Sequence, residues 1–82
     1  MLQSKPYPID EIYVPADKRK TLDPARVDEL AENIIDNGMT TPIHIRQGKG
    51  RYVLIAGLHR LEAMKALGEE TIEAIIVQAR RR

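Results

Sequence analysis

The sequence predicts a small α+β domain, built in the order strand, helix, β-hairpin, helix, strand. Three observations predict it. Val27, Leu30, Ala31, Ile34 and Ile35 recur at the spacing of a helix with one apolar stripe. Ile43-His44-Ile45-Arg46 alternates apolar and polar residues, and the turn Gln47-Gly48-Lys49-Gly50 parts it from the apolar run Tyr52-Val53-Leu54-Ile55, as in a hairpin. Leu61, Met64 and Leu67 then repeat every third residue, with Ala63 and Ala66 between them and Gly68 as the stop.

Taken in order, residues 1–6 are polar and read as an extended lead-in. Tyr7, Ile9, Ile12, Tyr13 and Val14 predict a first strand ended by Pro15, and Ala16-Asp17-Lys18-Arg19-Lys20 reads as a charged, solvated loop. Asp23 is a good N-cap with Pro24 at the first helical position, and Asn37-Gly38 supplies the helix stop. After the hairpin and second helix, Thr71 to Val77 form an isoleucine-rich last strand. Residues 79–82 end in Arg80-Arg81-Arg82, a basic tail expected to be disordered.

Eighty-two residues leave room for one domain, spanning 1–82, and for one core. With no Phe or Trp, that core must be Ile, Leu, Val, Met and Ala. The net charge of +1 is not the strongly basic footprint of a general nucleic-acid binder. The absence of cysteine excludes disulfides, thiolate chemistry and Cys-ligated metals. No stretch is apolar enough for a signal peptide or a membrane span, so the expectation is a cytoplasmic protein without a membrane partner.

The chemistry centres on Ile55-Ala56-Gly57-Leu58-His59-Arg60-Leu61-Glu62-Ala63. A strand that turns through Gly57 into a helix aims its first-turn N–H groups, partnerless within the helix, at one spot. His59 and Arg60 sit in that turn, where a cation is unfavourable unless an anion is also present, which points to phosphate. The first helix carries two polar rows. Asp28, Glu32 and Asp36 form a solvated outer row, and Arg26, Glu29 and Asn33 run along a flank of the apolar stripe. By periodicity alone that flank reads first as a plain helix edge. His44 and His59, without short pair spacing, make no zinc site, so no metal ligands are assigned. His59 suits a neutral donor to phosphate or a general base.

Four blocks in order make the chain resemble the ParB/sulfiredoxin superfamily. They are Leu22-Asp23-Pro24-Ala25-Arg26-Val27 opening a helix that ends at Gly38; Thr41-Pro42-Ile43-His44-Ile45; Gly57-Leu58-His59-Arg60-Leu61-Glu62-Ala63, like the family's Gly-x-His/Arg-Arg-x-x-Ala box; and Glu70 to Gln78, similar to the sulfiredoxin ending. The resemblance implies a nucleotide triphosphate, ATP or CTP, bound with Mg²⁺. It maps Gly57, Leu58, His59 and Arg60 onto the phosphate box. Arg26, Glu29 and Asn33 fall where sulfiredoxins place Lys, Ser and Thr to meet phosphate. Glu29 would hold Mg²⁺ or orient a water, and together with His59 is the candidate catalytic pair.

The departures are specific. Leu58 stands where sulfiredoxin needs its cysteine, so that reaction is excluded. Leu58-His59 replaces the acidic residue of the partition proteins' Gly-Glu-Arg-Arg box. The expected function is therefore nucleotide binding at the Gly57 helix N-terminus, with hydrolysis or transfer of the terminal phosphate left open. The alternative is a non-enzymatic module that binds DNA or a protein partner, as a monomer or homodimer. Nuclease activity ranks last, for want of an acidic cluster.

Overall fold

The computed structural model describes residues 3–39 and 41–77. The chain runs β1 (Lys5–Pro8), a single 3-10 turn (Ile9–Glu11), β2 (Ile12–Tyr13), α1 (Ala16–Arg19), α2 (Pro24–Asn37), β3 (Ile43–Gln47), β4 (Tyr52–Ala56), α3 (Leu58–Ala66) and β5 (Thr71–Ile76). The strands form one mixed sheet in the order β1-β5-β3-β4-β2. The β1/β5 and β3/β4 pairs are antiparallel, and β3/β5 and β2/β4 are parallel.

The single first strand expected from the sequence is two strands on opposite edges of this sheet. Pro8 and Ile12 are joined only by the 3-10 turn, whose Ile12 N–H donates to the Ile9 carbonyl. Four residues reach at most about 14 Å, whereas four strand spacings in a flat sheet need about 19 Å. The sheet must therefore curl until its edges approach. The rings of Tyr7 on β1 and Tyr52 on β4 accordingly meet edge-on with centroids 5.1 Å apart. The lead-in is also shorter than expected, because Lys5 and Pro6 lie in β1, opposite Ala74 and Glu73.

The charged stretch after Pro15 is a helical turn rather than a loop. Lys18 and Arg19 N–H groups both donate to the Pro15 carbonyl, at 3.0 and 3.2 Å. Asp17 at its start and Lys18 and Arg19 at its end agree with the helix dipole. The basic tail lies outside the described residues.

The hollow of the curled sheet holds the core. Ile43, Ile45, Leu54, Ile72 and Ala74 meet Leu58 and Leu61 of α3, with Ile9, Ile12 and Val14 closing the end. α3 lies between the sheet and α2, so α2 is an outer layer. That is why its apolar stripe is only partly covered: Val27, Leu30, Ala31 and Ile34 are half-buried. Ile35, expected in the stripe, is 67% exposed. The ends of α2 are as predicted. Asp23 Oδ1 accepts from the Ala25 N–H at 3.1 Å, and Gly38, at φ +75°, donates its N–H to the Ile34 carbonyl at 2.7 Å.

Candidate phosphate site at the N-terminus of α3

β4 ends at Ala56, and Gly57 turns the chain at φ +106° into α3. The first intrahelical bond runs from the Leu61 N–H to the Gly57 carbonyl at 3.0 Å. The N–H groups of Leu58, His59 and Arg60 precede that bond, so helix geometry gives them no carbonyl one turn back. Leu58 is 8% exposed and points into the core, which leaves its N–H as the group it presents at the turn. His59 and Arg60 are half-buried above it.

α2 forms the facing wall. A hollow of about 210 Å³ is lined by Arg26 and Leu30 from α2 and by Gly57, Leu58, His59 and Arg60. Two guanidinium groups and a helix N-terminus thus face a small space whose lining includes no carboxylate. A second hollow of about 90 Å³ adjoins it through Leu30 and Arg60, and is completed by Asn33, Ile34, Gly38, Met39 and Thr41. The β3/β4 register explains the second hollow. His44 opposite Ala56 sets the loop that leads into β3 beside the Gly57 turn.

The flank row predicted on α2 is therefore split. Arg26 lines the first hollow and Asn33 the second, while Glu29 is exposed and lines neither. His59 is also placed differently from a free base. Its Nε2 accepts the Asp23 N–H at 3.0 Å, so the proton of the neutral ring is assigned to Nδ1. The nitrogen most available for proton abstraction is already in use, and only Nδ1–H is left to donate. Asp23 as the partner of His59, with Leu30 and Thr41, are the residues that sequence reasoning did not single out for the site. The sequence marked all three for other roles: Asp23 as a helix cap, Leu30 in the apolar stripe and Thr41 at the entry to the hairpin.

Among the described residues, no group of three His, Cys, Asp or Glu side chains is arranged to hold a metal ion. A larger hollow, about 580 Å³, lies away from the Gly57 turn beside β2, and its lining includes Arg19, Arg51 and Lys65 together with Asp10, Glu11 and Glu62. Arg51 there stacks on Tyr13, with its guanidinium carbon 3.8 Å from the ring centroid. Its lining mixes both charges, so it lacks the single-sign character of the smaller site.

Comparisons with known proteins agree with this fold. The nucleoid occlusion protein of Halalkalibacterium halodurans is 44% identical over 70 residues, covering 84% of this chain and 25% of that protein. The chain thus spans about a quarter of the length of this curated relative. Sulfiredoxin from Arabidopsis thaliana superposes with a TM-score of 0.79 at 30% identity, covering 96% of this chain and 86% of the sulfiredoxin. The chromosome-partitioning protein ParB from Caulobacter crescentus, truncated at its C-terminus and complexed with CTP-γ-S, superposes with a TM-score of 0.82 at 24% identity, covering 95% of this chain and 46% of that one. No helix among the described residues is long and apolar enough to cross a membrane. The ParB N-terminal domain model matches residues 3–82, and the chain belongs to that family, within the ParB/sulfiredoxin superfamily.

Proposed function

We propose that this domain binds a nucleoside triphosphate, with the phosphates seated on the Gly57 turn between Arg26 and Arg60. The observation that carries the reading is the carboxylate-free hollow shared by two arginines and the first turn of α3. Guanidinium groups hold phosphate oxygens by paired, charge-assisted hydrogen bonds, and the first-turn N–H groups add donors without reorganisation. The CTP analogue bound by the Caulobacter ParB supports a nucleotide as the ligand class. Asn33 and Thr41 in the adjoining hollow are the polar groups available to the rest of the nucleotide.

Mg²⁺ fits this reading as an ion held chiefly by phosphate oxygens and water, with Glu29 as the one flank carboxylate in reserve. Binding is the better supported activity. The candidate catalytic pair is dispersed, since Glu29 lies outside both hollows and His59 Nε2 is occupied. The absence of cysteine leaves no sulfiredoxin reaction.

The second reading, a DNA- or protein-binding module in the cytoplasm, draws on the likeness to a nucleoid occlusion protein. A thermal-shift screen against ATP, CTP, GTP and inorganic phosphate, each with and without Mg²⁺, separates the two. A ligand at 100 times its Kd stabilises by about 2.7 kcal/mol. A nucleotide-specific rise lost in Arg60→Ala supports the phosphate site. A flat screen with salt-sensitive DNA retention moves the assignment to the binding module.

A further inference from the structure

We infer that His59 is a positioning residue that acts through Arg26, by anchoring the N-terminus of α2 over the phosphate turn, and not by binding phosphate itself. The inference rests on the phosphate-site reading above and deepens it.

Asp23 is the joint. Its N–H donates to His59 Nε2 at 3.0 Å, and its carboxylate accepts the Ala25 N–H at 3.1 Å. Its carbonyl accepts the N–H groups of Arg26 and Val27 at 3.0 and 3.1 Å. One residue therefore joins the imidazole on α3 to the backbone of Arg26 on α2. Along the rest of α2 no side chain is fully buried, and Val27, Leu30, Ala31 and Ile34 are only half-buried. Leu22, just before the joint, is itself 38% exposed. Where apolar burial gives little registry, a directional bond sets it. The bond from Asp23 to His59 spans 36 positions of sequence and fixes the start of α2 against the start of α3. Arg26, one turn further on, inherits that placement.

Direct phosphate binding by His59 would use Nδ1–H, and its loss would then be independent of Arg26. Action through the joint makes the two losses overlap. The test is a double-mutant cycle on the full chain, with inorganic triphosphate as the probe and affinity read by calorimetry. His59→Ala should weaken binding roughly three- to tenfold, the scale of one hydrogen bond. It should add little to the loss already caused by Arg26→Lys. His59→Gln, which keeps an acceptor near the Nε2 position, should recover most of the affinity. Losses that multiply in the double variant, or a His59→Gln variant no better than His59→Ala, overturn the proposal.

A second readout needs no ligand. Nitrogen-15 spectra of the imidazole should show the Nδ1-protonated tautomer, and the Asp23 amide should shift in His59→Ala and stay near its place in His59→Gln. The Nε2-protonated tautomer overturns the joint. Failure of the unmodified chain to bind triphosphate overturns the phosphate-site reading and the functional half of this inference together. The ligand-free spectra tell that failure apart from a missing joint.

Discussion

Gly57 lies against Ile43 so closely that a Cβ on the glycine would stand 2.5 Å from Ile43 Cγ2 and 2.9 Å from its Cβ. The same glycine holds φ +106°, a backbone region that side chains disfavour. Two separate constraints, conformation and contact, therefore demand glycine at the turn that starts α3. The contact also ties the candidate phosphate site to the core, because Ile43 is fully buried beside the other sheet residues.

Gly57→Ala is therefore expected to destabilise on both counts. The left-handed conformation costs about 1–2 kcal/mol and overpacking about 1–3 kcal/mol. Urea unfolding should show a lower midpoint, and any nucleotide affinity should fall with it as the turn shifts. An unchanged midpoint would mean that Ile43 yields freely.

Leu61→Ala tests the layer between α3 and the sheet. Leu61 is 0% exposed and belongs to the core cluster. Truncating such a leucine costs about 2–5 kcal/mol. At roughly 0.05–0.15 kcal/mol per residue, a chain of 82 residues has about 4–12 kcal/mol in all, so the loss is a large share of its stability. Circular dichroism melts should show a broad, early transition.

Arg26 should matter to ligand and not to fold, since it is exposed and lines the first hollow. Removing a charge-assisted hydrogen bond costs about 1.5–3 kcal/mol, so Arg26→Ala should weaken triphosphate binding by roughly 10- to 150-fold. Arg26→Lys keeps the charge and loses the planar fork, and should fall between. Calorimetry on variants with unchanged melting curves checks this.

Asp23→Ala removes the carboxylate cap of α2 and should cost about 0.5–2 kcal/mol. Asp23→Ser should recover most of it, because its hydroxyl also accepts. Both variants keep the backbone N–H that reaches His59, so the imidazole tautomer should not change in either. Denaturation and nitrogen-15 spectra together check the two halves.

Ile35→Lys is expected to change stability by no more than about 0.5 kcal/mol, as for other exposed positions. Ile35 is two-thirds open to solvent, with only the outer side of α2 around it. A larger loss that depends on protein concentration, followed by sedimentation, would show that a second copy covers this face.

Much of the fold was legible because its signals are local. The Asp23-Pro24 start and Gly38 stop of α2, the β3–β4 hairpin and the Gly57 turn each depend on residues within a few positions of one another. The strand–turn–helix pattern at Gly57 marked the candidate phosphate turn; periodicity put Arg26 on a flank of α2, and only the family resemblance turned that flank toward the site.

What the sequence by itself determined was the elements from α2 onward and the residues at their ends, since caps, breakers and periodicity act over one or two turns. The tertiary structure alone decided which of those residues meet. The curl of the sheet split the first strand between two edges, a consequence of the chain length between Pro8 and Ile12 and not of any residue's propensity. The outer position of α2 left Ile35 in solvent and Glu29 outside both hollows, because only the side toward α3 finds a partner. The bond from Asp23 to His59 has no periodic signature, for it depends on how two helices dock across 36 positions of chain.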